Sequence, residues 1–442
     1  MNKKLIALAV ASLISVPAFA AGSEVQFYGM LDAGVDSATN VGSNAAGTAS
    51  TTNNVGRVSD YGSYFGLKGS EDLSNGLSGI WQIEQGVSVN GGNTNNGNGG
   101  ASAVNGSQNA FGANPFNNQR NTFVGLSSQA AGTVLVGIHD TPYKMSTAQM
   151  DPFADTMGDY NGLVGSFGLA GSGNGTVGSG LLDGAGASGY FDLRPSQVLA
   201  YVSPNMNGLT VVGAYVFGNA TNLGTPGVSP TPNTAGNTYA NNTTGDAYSL
   251  AAMYTAGPLY LTASYEQHDF GAAGNGSLSA LGGALANESN SAYKLGAAYS
   301  IMDTTLSVLY ENSSDNFGTN GSNLLGHDTW YASLKHSMGA WDIALAYANA
   351  GSDNTTSAYN GNLSGKLTGA AAGAATGAQQ WTIGGDYNFS KNTQVYALYT
   401  EISNDAGSMY NFADTTNPVA MGGLAIGGAN ISAVSLGIKH TF

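Results

Sequence analysis

The sequence predicts an all-β protein whose antiparallel strands close into one transmembrane barrel. Three observations support this fold class. The 442-residue chain contains many segments of about ten residues in which apolar side chains alternate with small or polar ones. Between these segments, short turns and long Asn/Gly/Ser/Thr-rich connections follow each other in strict alternation. Finally, only 9% of the residues are charged, which is far less than the surface of a soluble protein requires. Glycine is abundant, with 66 residues.

Composition also excludes several other classes of protein. After residue 20 there is no apolar run near the ~20 residues that a membrane-spanning helix needs. The chain has no cysteine, so it has no structural disulfide, no thiolate metal site and no cysteine nucleophile. With 12 basic and 27 acidic residues the net charge is −15, which disfavours nucleic acid as a partner. We therefore expect a chain that contacts lipid rather than nucleic acid.

The first 20 residues have the pattern of a secretory signal peptide. Lys3 and Lys4 precede an apolar stretch over residues 5–16, and Ala18-Phe19-Ala20 is a small-x-small cleavage site. Cleavage after Ala20 leaves a mature domain of residues 21–442 and changes the net charge from −15 to −15 − 2 = −17. The pattern predicts export through the bacterial periplasm, with the outer membrane as the destination.

Alternating side chains predict sixteen strands in the mature chain. In one of them, Trp341, Ile343, Leu345 and Tyr347 share an apolar face, and the residues between them are small or polar. In a barrel the apolar face contacts lipid and the other face lines the lumen. The predicted strands are 24–36, 62–72, 77–89, 120–128, 132–139, 196–204, 207–218, 246–255, 258–268, 291–301, 303–313, 328–337, 340–349, 379–389, 391–402 and 430–442.

The lengths of the connections distinguish a barrel from a soluble sandwich. Turns such as Asn205-Met206-Asn207 and Gly257-Pro258 join the two strands of each pair, whereas segments such as 90–119 and 140–195 join successive pairs. Short periplasmic turns and long external loops around an even number of strands are typical of outer-membrane barrels. Because an open sheet edge in hydrocarbon leaves backbone groups without hydrogen bonds, the sheet must close.

The last predicted strand ends in an aromatic residue. Val434, Leu436, Ile438, His440 and Phe442 lie on one face, and Phe442 is the final residue of the sequence. An apolar alternating strand with a terminal aromatic residue resembles the signal that the outer-membrane barrel assembly machinery recognises. We therefore expect that machinery to be a partner and Phe442 to be part of the signal.

Several ordered motifs resemble one family. Residues 61–85 read YGSYFGLKGSEDLSNGLSGIWQIEQ, residues 120–126 read RNTFVGL, and Ser203-Pro204-Asn205 follows further along. Together with Phe27-Tyr28-Gly29 and the terminal Lys439-His440-Thr441-Phe442, these segments span the mature chain. They resemble the Gram-negative general porins of the proteobacterial trimeric type.

The resemblance implies a fold and a function. Members of this family are sixteen-stranded barrels, usually homotrimers, in the lipid and lipopolysaccharide of the outer membrane. Their third external loop folds into the lumen and narrows it, and residues 140–195 correspond to that loop here. The function implied is passive diffusion of ions and small hydrophilic solutes through a water-filled channel.

The resemblance also implies an acidic cluster on this loop. Asp151, Asp155 and Asp159 are spaced four residues apart, so one helical segment would place all three carboxylates on the same side. They are candidates for the acidic side of the pore constriction. Ordinary solvated loop carboxylates are the alternative interpretation of the same pattern.

The basic side of the constriction is depleted. Arg120 and Arg194 match arginines of the family, and Lys68 and Glu84 have the spacing expected of lumen-facing side chains on their strands. Loop carboxylates without a full set of wall cations make a lumen electronegative, so we expect a preference for cations. Three positions that are commonly arginine in relatives are uncharged here: Tyr64, Ile138 and Ala200.

Other functions fit the sequence less well or share the fold. His139-Asp140 and His268-Asp269 are adjacent pairs, but no nucleophile motif accompanies them, so we expect no enzyme. No motif for a cofactor or a metal ion is present. A channel selective for a sugar or a carboxylate, and a surface adhesin or receptor barrel, remain alternatives on the same fold.

Overall fold

The computed structural model describes the strands and parts of the connections. The described residues are 24–39, 55–89, 118–166, 191–217, 246–269, 288–316, 321–323, 325–353, 375–405, 408, 410–412 and 430–442. The predicted signal peptide, residues 1–20, and most of the long external loops lie outside them. The signal peptide therefore stays a prediction.

Eighteen strand segments form one closed antiparallel sheet. The first nine are β1 (Glu24–Thr39), β2 (Val55–Asp60), β3 (Tyr64–Asp72), β4 (Leu77–Gly86), β5 (Asn118–Gln119), β6 (Thr122–Ser128), β7 (Gly132–Ile138), β8 (Val198–Val202) and β9 (Leu209–Val216). The others are β10 (Asp246–Ala256), β11 (Leu259–Asp269), β12 (Ser289–Ile301), β13 (Thr304–Asp315), β14 (Asp328–Met338), β15 (Trp341–Ala350), β16 (Ala378–Asn388), β17 (Thr393–Asn404) and β18 (Asn430–Thr441).

These eighteen segments are sixteen barrel strands, as predicted. Segments β2 and β3 pair in succession with β1, and are one barrel strand interrupted at residues 61–63. Segments β5 and β6 pair in the same way with β4, and are interrupted at residues 120–121. Both interruptions lie on the part of the wall that faces the loop inside the lumen.

The sheet closes between its first and last strands. Segment β1 pairs antiparallel with β18 from Met30↔Thr441 to Thr39↔Ser432. Each other strand pairs with its neighbours in sequence, so the barrel is a continuous meander. Closure leaves no free strand edge, which is what a sheet in hydrocarbon requires.

The two faces of the wall differ as the alternation predicts. On β15 the side chains of Trp341, Ile343, Leu345 and Tyr347 are 55, 47, 50 and 43% exposed on the outer face. The alternate residues Ala344, Ala346 and Ala348 are at most 6% exposed on the lumen side. On this strand, large apolar side chains therefore cover the outside of the barrel and the inner face carries small ones.

Helices in the described residues are few and short. The helix α1 (Pro142–Thr147) follows β7, and two 3₁₀ turns, Ala148–Met150 and Tyr160–Gly162, lie beyond it. No helix in the described part of the chain is long and apolar enough to cross a membrane. All three short helical elements belong to the connection between β7 and β8, which we call L3 (residues 140–195; described for 140–166 and 191–195).

Candidate pore constriction

L3 enters the barrel through α1. The Thr141 hydroxyl accepts a hydrogen bond from the Lys144 backbone amide (3.3 Å), and Pro142 occupies the first turn, so the local sequence favours a helix start here. The helix then docks on the lumen face of β10 and β11, because the Tyr143 amide donates to Ser249 Oγ (2.9 Å) and the Tyr260 hydroxyl donates to the Ser146 carbonyl (2.6 Å). The loop is thus inside the barrel, as the family resemblance implied.

The next part of L3 packs on the wall through apolar side chains. Phe153 and Met157 are buried in a cluster with inward-facing residues of β13 to β18. The fit is close, since a Cβ on Gly384 of β16 would lie 2.9 Å from Phe153 Cε1, and one on Gly158 would lie 2.5 Å from Thr382 Cγ2. Glycine at both positions lets the loop lie directly against the wall.

Two of the three candidate aspartates hold the shape of L3. The Asp151 carboxylate accepts hydrogen bonds from the backbone amides of Phe153 and Tyr160 and from the Tyr331 hydroxyl of β14, each at 2.9 Å. The Asp159 carboxylate accepts from the amides of Asp155 (2.9 Å) and Asn161 (2.8 Å). Both carboxylates are buried, so they brace the turn and the wall behind it rather than face open water.

Burial changes the titration of these two groups. Removal from water raises the pKa of Asp151 to about 6, in spite of its three hydrogen-bond donors. Burial, together with the nearby Asp151 charge, also raises the pKa of Asp159 well above its usual range. In both groups, burial therefore favours the protonated, uncharged form of the carboxyl group.

The predicted helical arrangement of the three aspartates is wrong. The α-helix ends at Thr147, before the first of them, and residues 151–159 form successive turns. The reason is local, because the side chains of Asp151 and Asp159 accept hydrogen bonds from amides that a helix would use internally. The three carboxylates consequently do not project from one face of a helix.

Among the described residues of L3, Asp155 is the exposed aspartate. Its φ is +58°, and its side chain faces the interruption between β2 and β3. A Cβ added at Gly62 would lie 3.6 Å from Asp155 Oδ1 and 3.8 Å from Arg120 Nη1, so both side chains lie beside this glycine. Within the described residues Asp155 forms no ion pair.

On the wall opposite L3, Arg120 is paired with Glu84. Arg120 Nε lies 2.5 Å from Glu84 Oε1, and the guanidinium carbon lies 4.5 Å from the centre of the Tyr64 ring. The Tyr28 hydroxyl donates to Glu84 Oε2 (3.0 Å), and Lys68 Nζ lies 5.0 Å from the centre of the Tyr28 ring. Glu84, Arg120 and Lys68 therefore share one patch of the lumen wall.

Arg194 lies in a second paired cluster where L3 leaves and rejoins the wall. The Asp140 carboxylate is 3.0 Å from both Arg194 Nε and Lys144 Nζ, and it accepts a hydrogen bond from Asn121 Nδ2 (3.0 Å). Burial opposes ionisation of Asp140, but Arg194 and Lys144 lower its pKa well below the usual range. This cluster fastens the two ends of L3 to each other.

Most cations of the described lumen are neutralised by a carboxylate in the same way. Lys439 Nζ is 3.1 Å from Asp32, and Lys335 Nζ is 3.2 Å from Asp342. In the described part of the chain, Lys68 and Lys391 are the basic residues without such an ion pair. The wall therefore has paired charges in place of a row of free cations.

Sequence analysis missed the buried charges behind L3. Lys294 of β12, Glu311 of β13 and Asp192 of L3 meet in a cluster that is almost fully buried. The available signal was a lysine and a glutamate at lumen-facing positions of the neighbouring strands β12 and β13. Their partner in L3 is distant in sequence, so no spacing rule connects them.

Phe442 completes the joint between the first and last strands. Its backbone amide donates to the Gly29 carbonyl (3.0 Å), its carbonyl accepts from the Gly29 amide (3.0 Å), and its ring stacks on Phe27 with centroids 5.4 Å apart. A role as an assembly signal stays a prediction.

Among the described residues, no group of three or more acidic or histidine side chains is arranged to hold a metal ion.

A closed sixteen-stranded barrel with an apolar outer face, and with a loop folded against one side of a charged lumen, defines a porin-type protein of the outer membrane. The sequence agrees with this class, because the model of the Gram-negative porin family matches residues 7–407. The chain belongs to that family and is a protein of the outer membrane. Because the family consists of porins, membership also confirms that the chain is not an enzyme.

Relatives and solved structures agree with this assignment. The chain is 43% identical over 163 residues to the major outer membrane protein P.IB of Neisseria meningitidis serogroup B, covering 37% of this chain and 40% of the relative. The match thus spans about two fifths of that relative's length.

Two solved structures share the fold. An anion-selective porin from Comamonas acidovorans has a TM-score of 0.61 at 21% identity, covering 95% of this chain and all of the other. The trimer form of OmpT from Vibrio cholerae has a TM-score of 0.54 at 14% identity, covering 95% of this chain and all of the other. At these identities the likeness concerns the fold alone.

Proposed function

We propose that this protein is a diffusion channel for ions and small hydrophilic solutes. The observation that carries the proposal is the one-sided position of L3. The loop packs against the inner face of β10 to β18, while Lys68 and Arg120 of the opposite wall keep part of their surface exposed inside the barrel. A lumen that is narrowed on one side and polar on the other is suited to hydrated solutes.

We further propose a weak preference for cations. Arg120, Arg194 and Lys439 are each paired with a carboxylate, so their field on a passing anion is largely cancelled. Among the described residues of L3, Asp155 is the exposed carboxylate and lies beside Gly62 of the wall. The chain as a whole carries 27 acidic residues against 12 basic ones. The Comamonas porin is described as anion-selective, so the same fold accommodates either preference.

The reversal potential across a bilayer with a KCl gradient tests this preference. We expect the sign for potassium over chloride, and we expect Asp155→Asn to move the reversal potential toward zero. The matched control is Asp72→Asn, which removes the same charge from the exposed end of β3, where an asparagine can still accept the hydrogen bond from the Ser74 amide (2.8 Å). A chloride preference of the wild type contradicts the proposal.

We also propose that the protein assembles as a homotrimer. An apolar groove of about 560 Å³ crosses the outer face where β15 to β18 meet β1 and β2. Small residues, including Ala33, Ala397 and Gly385, form its floor, and Val35, Val58 and Trp341 are among its larger lining residues. Close packing between barrels in lipid favours such small residues.

The mass of the complex extracted in mild detergent should be three times that of the mature chain, and a monomeric mass contradicts the proposal.

A further inference from the structure

Lys294 is a wall lysine whose ammonium group is enclosed by L3. The residue projects from β12 into the barrel and is 0% exposed. Its Nζ lies 2.5 Å from Asp192 Oδ1 and 3.3 Å from Thr147 Oγ1, and it lies 4.3 and 5.6 Å from the centres of the Tyr143 and Tyr160 rings. All four of these groups belong to L3, so the loop forms most of the lysine's surroundings.

Glu311 extends the same cluster on the neighbouring strand. Its Oε2 lies 3.8 Å from Lys294 Nζ and accepts a hydrogen bond from the Tyr143 hydroxyl (2.8 Å). The backbone amide of Gly165 donates to both Glu311 oxygens, at 2.8 and 3.0 Å. Through these contacts β13 holds the beginning of L3 and a point 22 residues later along it.

Asp192 brings in the end of the loop. Besides Lys294, its carboxylate accepts hydrogen bonds from Asn161 Nδ2 (2.6 Å) and from the Tyr160 hydroxyl (3.3 Å). Three parts of L3 that are far apart in sequence therefore converge on two wall residues. The apolar contacts of L3 elsewhere are non-directional, whereas these charged hydrogen bonds fix position and angle.

We propose that Lys294 is the positioning residue that sets how far L3 reaches across the lumen, and hence the size limit of the channel. This inference rests on the proposed diffusion function. Lys294 supplies the positive charge in direct contact with the buried carboxylates Asp192 and Glu311. Without it, two carboxylates remain buried next to each other, and an unpaired buried charge strongly destabilises the structure around it. L3 then separates from β12 and β13, because the wall side chain that its groups surround is gone.

Single-channel recording of Lys294→Met with neutral polymers of graded size tests the proposal. We expect this variant to lose the wild-type size limit, so that polymers excluded by the wild type enter and reduce its conductance. The matched control is Lys335→Met, which removes another inward lysine that is paired with Asp342 but is 41% exposed and away from L3. The control should keep the wild-type size limit.

A second variant keeps the test informative when Lys294→Met fails to fold. Asp192→Asn removes the loop carboxylate and leaves the wall lysine in place, and we expect it to widen the size limit in the same direction. The double variant Lys294→Met with Asp192→Asn removes the same contact between β12 and the end of L3 from both sides, so its size limit should be no wider than that of Lys294→Met. An unchanged size limit in folded Lys294→Met, or in Asp192→Asn when Lys294→Met does not fold, overturns the proposal. A silent wild-type bilayer instead overturns the diffusion function itself.

Discussion

The two sides of the lumen wall have the same strand pattern and opposite environments. On β13 to β18 the inward residues Ala344, Ala346 and Leu398 are buried against L3, in a cluster that resembles the core of a soluble domain. On β3 and β4 the inward residues Lys68 and Glu84 instead form polar contacts beside the open part of the lumen. On both sides the outer face carries large exposed apolar side chains, such as Leu67 and Ile83 on β3 and β4 and Trp341 and Leu345 on β15.

This difference shows what determines the inward residues of such a wall. Alternation requires only that each strand presents an apolar face to lipid. Inward residues that pack on the apolar part of L3 are apolar. Charged inward residues are paired both beside the open lumen, as Glu84 is with Arg120, and against L3, as Glu311 is with Lys294. One side of the barrel is therefore a docking surface for L3, and the other side is the lining of the channel.

The largest effect that follows from this comparison is expected for Phe153→Ala. Phe153 is buried between L3 and β16, so the substitution removes a large aromatic group from a closely packed contact. Buried Phe→Ala changes cost about 3–5 kcal/mol. We expect lower thermal stability of the folded barrel, measured by circular dichroism in detergent, and faster hydrogen exchange in L3.

The control for this variant lies on the other side of the lumen. Gln82 of β4 is partly exposed and its amide donates to the Asn121 carbonyl (3.3 Å), so Gln82→Ala removes a polar side chain from the open wall. We expect a change of no more than about 1 kcal/mol there. Equal losses of stability in the two variants would mean that the two sides do not differ as described.

The barrel could be predicted from the sequence because its cause is periodic. Lipid outside the wall forces large side chains such as Trp341 and Leu345 to recur at every second residue, and this regularity is visible without a structure. The interruptions at residues 61–63 and 120–121 could not be predicted in the same way. The first depends on hydrogen bonds between Ser63 and the Asp32 backbone on the neighbouring strand, and that pairing is a property of the folded sheet.

The candidate constriction could be predicted only in part. The resemblance predicted the position of the loop and gave Asp151, Asp155 and Asp159 as candidates. These equally spaced residues lie in two different environments, which their spacing does not indicate. Asp151 and Asp159 face backbone amides within an irregular turn, and Asp155 faces Gly62 of the wall. Side-chain to backbone hydrogen bonds in such a turn follow no period, so spacing alone could not separate the three.

A smaller effect is expected from pH, and it separates Asp151 from Asp155. The pKa of Asp151 is about 6 in the folded protein, against 3.8 for an ordinary aspartate, so the folded state binds a proton that the unfolded chain has released. The stability that this proton contributes is fully present below about pH 4, falls as pH rises toward 6, and is absent above that, with a total of at most about 3 kcal/mol. The raised pKa of Asp159 acts in the same direction.

The stability of L3 measured by hydrogen exchange at pH 4.5 and pH 7.5, corrected for the intrinsic exchange rates, tests this expectation. Wild-type L3 should be more protected, after correction, at the lower pH. Asp151→Asn cannot ionise and still presents a carbonyl oxygen to the amides of Phe153 and Tyr160, so it should lose part of the pH dependence. Asp155→Asn, which changes an exposed carboxylate, should retain the wild-type dependence. If both variants retain it, ionisation of the buried aspartate does not limit the stability of the loop, and Asp151 is then only a hydrogen-bond acceptor in the turn.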